Sequence, residues 1–393
     1  MRIQILGAGE CGLPLAHRLL AGGADVTVVA DRGAEAVLSG AVTSTQVKFP
    51  RTLDLEAAAG LAFWSSQAPQ IAGIRFVMAV DREPKVRWSG RFSRPAQSVD
   101  QRTVFSRWLS MFTDEGGRLE IADPSVAEID GRAGDYDLTV VTRAGRELAG
   151  CFPPDPSWQL PAEPMRKLGA LYLDGVSPDP DDLGIYVALP GIGEVISYPG
   201  LTGEPGRERR CDMVLFEAVP GGPLDVFARG ETLREHLARA ASVFERFLPA
   251  ELAERFRHAE PTDAGASLAG AVAPVMRLPV GLLPSGTPIL GGGDVVCRMD
   301  PGGAQGANNA VHCAVTYSDA ILRHTGGFDR AWMAATAAPW LTEIAHPAAR
   351  WTMTMLDPPP PVQDLMLTAE HDSRLADRFA DIFCRPADMN TLS

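Results

Sequence analysis

The segment Gly7-Ala8-Gly9-Glu10-Cys11-Gly12 constrains the fold more than any other part of this sequence. A short apolar run at residues 2–6 precedes it, residues 13–20 have a helical pattern, and residues 25–29 form a second apolar run. A strand, a glycine-rich turn, a helix and another strand within about thirty residues are typical of a dinucleotide-binding unit. The pattern therefore predicts an α/β fold that begins with a nucleotide site.

The glycines of this segment have separate roles in such a unit. Gly7 permits the tight turn, Gly9 lets the backbone approach a pyrophosphate, and Gly12 lets the helix pack closely on the strand. The N-terminus of the helix then offers unpaired N–H groups to the phosphates. Asp31 lies 19 residues after Gly12, close to where an acidic residue binds the adenosine ribose. A glycine-rich turn with a purely structural role is the alternative.

A second glycine-rich block favours FAD over NAD. The apolar run at residues 288–292 ends in Gly293-Asp294, and residues 300–309 lead into a helical pattern at residues 310–322. In flavoprotein hydroxylases such an aspartate binds the ribityl chain, and the turn that follows opens a helix aimed at the isoalloxazine ring. Backbone N–H groups at a helix N-terminus stabilise the negative charge of reduced flavin. The sequence therefore predicts two glycine turns that hold one flavin.

Composition excludes several other classes of protein. The formal net charge of −13 argues against a nucleic-acid partner, which needs a basic surface. No apolar run approaches the roughly 18 residues of a membrane helix, and no signal-peptide pattern opens the chain. The six cysteines form no Cys-x-x-Cys pair, so we expect no metal site. We therefore expect a cytoplasmic protein that binds neither membrane nor nucleic acid.

Several further motifs narrow the resemblance to one family. The chain resembles the oxygenase component of the styrene/indole monooxygenase family, the two-component FAD epoxidases. The glycine blocks are shared with many flavoproteins, whereas Ser98-Val99-Asp100-Gln101-Arg102 and Arg350-Trp351-Thr352 are more specific. The matching pieces run nearly from end to end: 7–12, 26–32, 97–102, 136–141, 293–308, 350–352 and 376–386.

The resemblance implies a reaction and its partners. A separate NAD(P)H-dependent flavin reductase would supply reduced FAD, and O₂ would add to it to give a C4a-hydroperoxyflavin. That oxygen would then epoxidise or hydroxylate a small apolar alkene or aromatic substrate such as styrene or indole. The protein would exclude water and position the substrate. A homodimer is an assembly that the sequence leaves open.

The resemblance also implies site residues. Where family members often carry Asn-Thr near the flavin, this chain has Ser44-Thr45, followed by Gln46, and these three are the candidate catalytic residues. Arg298 is a candidate contact to substrate or flavin, with a surface charge as the equal alternative. The cofactor-binding candidates are Gly7, Gly9, Gly12, Asp31, Arg32, Arg102, Gly293, Asp294, Pro301, Gly302, Gln305, Gly306, Ala307 and Asn308.

The expected fold is an α/β flavoprotein hydroxylase fold of the GR2 (PHBH-like) type. A Rossmann-like FAD-binding domain would comprise residues 1–45, 97–150 and 270–330. An antiparallel β-sheet substrate domain would comprise residues 46–96 and 151–269, and residues 331–393 would form C-terminal helices. Strand patterns at 167–173, 184–189, 194–198 and 213–218, and a helical pattern at 231–248, support the second domain.

Three alternatives stay open. A flavin-dependent halogenase shares the FAD architecture, but such enzymes carry Trp-x-Trp-x-Ile-Pro and an essential lysine, and none of the seven tryptophans here forms a Trp-x-Trp pair. An N- or S-oxygenase of a biosynthetic pathway would use the same cofactor on another atom. A flavin-binding protein without catalytic activity would keep both glycine blocks.

Overall fold

The computed structural model of the protein describes residues 1–391. Within these residues the chain forms sixteen strands. They are β1 Arg2–Leu6, β2 Asp25–Ala30, β3 Gln70–Val80, β4 Glu83–Gln97, β5 Arg118–Ile121, β6 Leu138–Val141, β7 Lys167–Asp174, β8 Leu183–Leu189, β9 Gly193–Thr202, β10 Arg209–Ala218, β11 Glu260–Pro261, β12 Ser267–Ala271, β13 Val275–Met276, β14 Val280–Leu282, β15 Pro288–Gly291 and β16 Cys297–Arg298.

The same residues form thirteen α-helices, none of which is long and apolar enough to cross a membrane. They are α1 Gly12–Ala21, α2 Ala34–Leu38, α3 Pro50–Ala58, α4 Gln101–Asp114, α5 Val126–Arg132, α6 Arg146–Ala149, α7 Leu233–Phe247, α8 Ala250–Glu254, α9 Gly306–Arg323, α10 Arg330–Trp340, α11 His346–Leu356, α12 Pro360–Thr368 and α13 Ser373–Cys384.

The first sheet is the predicted nucleotide-binding sheet. Its six strands have the order β14-β15-β6-β1-β2-β5, and all neighbours except β14 and β15 are parallel. The central strands β1 and β6 are almost wholly buried, as their apolar runs require when helices cover both faces. Helices α1 and α9 pack beside each other in the same core. Both glycine blocks therefore follow strands of one sheet, β1 and β15.

The second sheet is mostly antiparallel and lies over the first. Its order is β11-β7-β10-β9-β8-β3-β4, with β12 also paired to β7, and its one parallel pair is β3 with β8. One face packs on α7, through Val243 and Phe244 among others. The other face carries Tyr172, Tyr186 and Tyr198, which belong to a separate core with α13. This sheet confirms the four predicted strands, and together the two sheets confirm the expected α/β class.

The C-terminal helices close the edge of the second sheet at β4. The backbone N–H groups of Arg91 and Ser93 donate to the carboxylates of Asp377 and Asp381, at 2.7 and 2.8 Å. A Cβ added at Gly90 would lie 2.1 Å from the Ala376 carbonyl, so α13 rests directly on the strand. The predicted segment 331–393 ends in two residues, 392 and 393, that lie outside the described residues.

Candidate active site

A cavity of about 470 Å³ lies between the two sheets. Both glycine turns reach it from the side of the first sheet, and strands of the second sheet form the opposite wall. Ten of the residues predicted for the site line this cavity, which brings together segments from across the chain. They are Gly9, Ser44, Thr45, Gln46, Asp294, Pro301, Gly302, Gln305, Gly306 and Ala307.

The first glycine turn is tight on one side and open on the other. Gly7 has a φ of +125°, and a Cβ there would lie 2.6 Å from the Thr142 hydroxyl oxygen. A Cβ at Gly12 would lie 1.9 Å from the Gly7 carbonyl oxygen. A Cβ at Gly9 would meet nothing within 4 Å, and Gly9 lines the cavity. Gly7 and Gly12 thus shape the turn, while Gly9 leaves room for a ligand.

The N-termini of two helices open into the cavity. Helix α1 begins beside Gly9, Glu10 and Cys11, and α9 begins at Gly306, earlier than the predicted helical pattern. Neither helix has a side-chain hydrogen bond at its N-cap. The first N–H groups of a helix lack intrahelical partners and favour anionic groups. A Cβ at Gly306 would also meet nothing within 4 Å. The cavity therefore offers two sites for negative charge.

The second glycine turn is packed tightly against neighbouring side chains. Asp300 caps it by accepting a hydrogen bond from the Gly302 N–H at 3.0 Å. A Cβ at Gly302 would lie 2.5 Å from an oxygen of Glu217, and one at Gly303 would lie 2.3 Å from the hydroxyl of Thr352. A side chain at either position would displace Glu217 or Thr352, and Thr352 belongs to the Arg-Trp-Thr motif noted in the sequence.

Asp294 projects from the end of the β15 segment into the cavity. Its side chain is exposed where it lines the cavity, and the protein packed around it raises its pKa to about 6 by desolvation. The nearby Arg298 partly opposes that shift. Arg298 also lines the cavity, and its Nε donates to the Ala273 carbonyl at 3.0 Å. A ligand with hydroxyl groups would satisfy the Asp294 carboxyl group.

The loop with Ser44, Thr45 and Gln46 forms one side of the cavity. The Tyr172 hydroxyl donates to the Ser44 carbonyl at 2.8 Å, and Thr45 is hydrogen-bonded to Tyr198. The Gln46 amide nitrogen donates to the Val99 carbonyl, whereas its oxygen is buried without a partner. The loop is thus fixed by the second sheet, and one acceptor is left unsatisfied.

The other predicted cofactor residues lie outside the cavity lining. Asp31 and Arg32 follow β2 and form an exposed ion pair at 3.5 Å. The Arg102 guanidinium is held by Asp100 and Asp263 and donates to the Gly40 carbonyl. Gly7, Gly12 and Gly293 shape the turns. The Asn308 amide group bonds Val47 and Phe49. A flavin contact for each of these residues stays a prediction.

A buried charge cluster, the Lys48 cluster, lies behind the first turn. It comprises Glu10, Lys48 and Glu56, with Lys48 Nζ 3.0 Å from Glu10 Oε2 and 2.5 Å from Glu56 Oε1. Lys48 also lies over the Trp108 ring. Burial raises the pKa of Glu56 to about 7, although Lys48 lowers it. The amine is therefore committed to two carboxyl groups. No motif indicates this cluster, because its members follow no known spacing.

The second sheet supplies an apolar wall that sequence reasoning did not find. Residues from β3, β8, β9 and β10 face the cavity opposite the glycine turns, together with Phe92 and Phe383. They include Ile71, Ile74, Ile185, Tyr186, Ile196, Tyr198 and Leu215. The period-2 alternation of these strands was the available signal. Which face meets a cavity depends on the packing of the two sheets.

Comparison with known proteins identifies relatives over nearly the whole chain. Residues 145–255 match the family model described as "Styrene monooxygenase A putative substrate binding domain". Styrene monooxygenase StyA of Pseudomonas fluorescens is 27% identical over 395 residues, which cover 98% of this chain and 93% of that protein. A second styrene monooxygenase StyA, from Pseudomonas sp, is 26% identical with the same coverage.

Among solved structures, the flavin-dependent brominase Bmp2 has a TM-score of 0.68 at 12% identity and covers 98% of this chain and 93% of its own. The oxygenase of 2-methyl-3-hydroxypyridine-5-carboxylic acid has a TM-score of 0.63 at 16% identity, with coverages of 98% and 97%. At these identities the structures establish the fold. Fold, cavity and relatives together define a flavin-dependent monooxygenase. Within that class the chain is a relative of the styrene monooxygenases, and the resemblance noted in the sequence is confirmed.

Proposed function

We propose that this protein is the oxygenase component of a two-component system. It would take reduced FAD from a separate NAD(P)H-dependent reductase and use O₂ to oxygenate a small apolar alkene or aromatic compound. The observation that carries the proposal is the single cavity that joins two uncapped helix N-termini, Asp294 and an apolar wall. Its volume of about 470 Å³ lies within the usual range for small-molecule sites.

The residues present fit a flavin nucleotide. The open space at Gly9 and Gly306 lets a ligand approach the backbone at both helix N-termini. The first of these would hold the pyrophosphate and the second the electron-rich edge of the flavin ring. Asp294 would accept hydrogen bonds from ribityl hydroxyl groups, and bound ligand would complete its burial. When bound, the flavin supplies the oxygen-activating chemistry, and the chain supplies binding, orientation and exclusion of water.

The substrate would lie between the flavin and the second sheet. Ile71, Ile74 and Leu215 offer apolar contact there and no charge, so an apolar ring or alkene would be favoured over a charged substrate. Gln46, with its unsatisfied amide oxygen, would orient a donor group of the flavin or the substrate. Ser44 and Thr45 would line the place of reaction. Burial of the site would keep water from the reacting atoms.

The lining of the cavity weighs against a halogenase. Among the described residues that line the cavity there is no lysine. Lys48 is ion-paired with Glu10 and Glu56, and the other two lysines, Lys85 and Lys167, are exposed. An essential amine facing the substrate, as halogenases carry, is therefore missing from this cavity.

The test supplies chemically reduced FAD and air to the purified protein with styrene or indole. We expect styrene oxide or the indole-derived blue pigment from the parent. Asp294→Ala should abolish product, whereas the matched control Asp135→Ala, at an exposed aspartate, should leave it unchanged. Product on sulfides or amines only would indicate an S- or N-oxygenase. Flavin binding without any product across a panel of alkenes, indoles, sulfides and amines would indicate a flavin carrier and contradict the proposal.

A further inference from the structure

Two buried carboxyl groups meet behind the second glycine turn. Glu217, on β10, is 0% exposed and Asp300 is 1% exposed. The two carboxyl groups lie close enough to shift each other's pKa. Asp300 also accepts the Gly302 N–H bond, and the Gly302 backbone lies directly against Glu217. This contact joins the second sheet to the second glycine turn, which lines the cavity.

Among residues 1–391, no donor near these carboxyl groups bonds to their free oxygens: Arg166 is engaged elsewhere, and the buried Tyr186 hydroxyl has no hydrogen-bond partner. Arg166 donates to both oxygens of Glu194, at 2.7 and 2.8 Å, and to the carbonyls of Leu356 and Met165, at 2.8 and 3.1 Å. Within the described chain, both oxygens of Glu217 and Oδ2 of Asp300 are buried without a hydrogen bond from any donor group. Two carboxylates can be hydrogen-bonded only when one carries a proton. With no donor bonded to these oxygens, one shared proton would satisfy both acids.

The surroundings decide which group keeps that proton. Glu217 is faced by Asp300, by Glu194 on β9, by the hydroxyl of Tyr186 on β8 and by Arg166. Burial raises the pKa of Glu217 well above its ordinary value, and the two acids raise it further. Burial raises the pKa of Asp300 to about 6, a smaller shift because the Gly302 N–H donates to it and Glu217 also lowers it. Glu217, whose pKa is raised further, is therefore the acid that would hold the proton.

We propose that Glu217 is a positioning residue whose neutral carboxyl group donates to Asp300 and holds the Pro301–Gly303 turn at the wall of the cavity. The same pair takes up a second proton, on Asp300, when an anionic flavin fills the cavity. This part rests on the proposed function, since Asp300 itself lines the cavity and a negative ligand there would disfavour its ionised form. Binding of reduced FAD would therefore be coupled to proton uptake.

The first test uses the ligand-free protein and needs no activity. Infrared difference spectra between the parent and Glu217→Gln at pH 8 should show a protonated-carboxyl carbonyl band in the parent that the variant lacks. At this pH Asp294 and Asp300 are mostly ionised, since the pKa of each is about 6. The control Glu251→Gln, at an exposed acid that pairs with Arg87, should leave the band in place. A band unchanged in Glu217→Gln would overturn the shared proton.

The second test measures anaerobic binding of reduced and oxidised FAD between pH 6 and pH 8. In the parent, affinity for reduced FAD should rise by up to about tenfold for each unit that the pH falls, as uptake of one proton requires. Oxidised FAD, with its neutral ring, should respond much less. Asp300→Asn should reduce the pH dependence, whereas Asp294→Asn, at the other cavity-lining acid with a pKa of about 6, should leave the share that belongs to Asp300. The same dependence in Asp300→Asn and the parent would refute proton uptake by this pair.

Side-chain replacement at Glu217 separates positioning from simple packing. Glu217→Gln can still donate to Asp300 and should keep reduced-FAD affinity within about threefold of the parent, whereas Glu217→Leu should lose more than about tenfold. Equal affinities in these two folded variants would refute the positioning role. If the parent binds neither form of FAD while the infrared band is present, the proposed function fails and the acid pair stands.

Discussion

Two buried acid clusters flank the cavity, and they are neutralised in different ways. In the Lys48 cluster a lysine ammonium lies between Glu10 and Glu56. In the other, which we call the Glu217 cluster (Arg166, Glu194, Glu217 and Asp300), the arginine is fully engaged by Glu194 and a proton serves the remaining two acids. A cation is fixed, whereas a proton can come and go with pH and with ligand charge. The first cluster therefore keeps its cation near neutral pH, although Glu56 titrates there, whereas the second depends on a proton alone.

The largest effect should come from removing the fixed cation. Lys48→Met would leave Glu10 and Glu56 buried without a partner charge, and breaking a buried ion pair in this way costs about 3–5 kcal/mol. Urea denaturation at pH 7 would measure the loss in unfolding free energy. Lys85→Met, at an exposed lysine, is the matched control and should change stability by less than about 0.5 kcal/mol. A loss below about 1 kcal/mol for Lys48→Met would show that the cluster is solvated.

The pH dependence of stability should report the titration of Glu56 in the Lys48 cluster. The pKa of Glu56 is raised to about 7 in the folded protein. The contribution of this group to the free energy of unfolding is therefore full below its ordinary pKa and is lost as the pH rises through 7. The parent should therefore lose about 2 kcal/mol of stability from this group between pH 5 and pH 8. Glu56→Gln should flatten that slope in denaturation series at several pH values. An unchanged slope in the variant would assign the pH dependence to other groups.

A pair of glycine variants compares a tightly packed position in the second glycine turn with an open position in the first. Gly302→Ala forces a Cβ to 2.5 Å from Glu217 Oε2 and should cost about 1–3 kcal/mol in unfolding free energy. Gly9→Ala meets open space, so the free protein should keep its stability within about 0.5 kcal/mol. Gly9→Ala should nevertheless weaken FAD binding in a fluorescence titration, because its methyl group enters the cavity. Unimpaired binding would remove Gly9 from the ligand site.

Removal of a neutral hydrogen bond should give the smallest loss of stability. That loss is a reference against which the losses from charged groups can be compared. Tyr172→Phe removes the hydroxyl that donates to the Ser44 carbonyl at 2.8 Å and should cost about 1 kcal/mol. Thermal unfolding of the ligand-free protein would measure it. A cost as large as that of Lys48→Met would mean that the Ser44 loop, rather than the ion pairs, dominates stability around the cavity.

Sequence reasoning located the nucleotide half of the fold because its signals are local. Gly7, Gly9 and Gly12 sit within one turn of chain, and the block from Gly293 to Gly306 has the spacing of known flavoproteins. It missed the long hairpin of β3 and β4. Its turn, Asp81-Arg82, takes positive φ values of 49° and 66° without glycine, which hides the usual hairpin signal. Charged residues and a glycine also interrupt β4, whose alternation shows only once its partner is known.

The two acid clusters lay beyond sequence reasoning for a different reason. Glu217 and Asp300 are far apart in the chain, and they meet only because the second sheet packs on the second glycine turn. Lys48 and Glu10 likewise join a loop to the first glycine turn. No periodicity or spacing reports such a contact, since it depends on how two sheets pack. The predicted domain boundaries rest on the same packing and stay a prediction.

The cover that α13 gives to β4 has a consequence for synthesis of the protein. Asp377 and Asp381 bond to the backbone of β4, and α13 follows all sixteen strands in chain order. On the ribosome the outer side of this strand is therefore bare until α13 has emerged. A bare strand can recruit a strand from a neighbouring nascent chain. The arginines Arg87, Arg91 and Arg94, which point outward, would keep such chains apart until the helix docks.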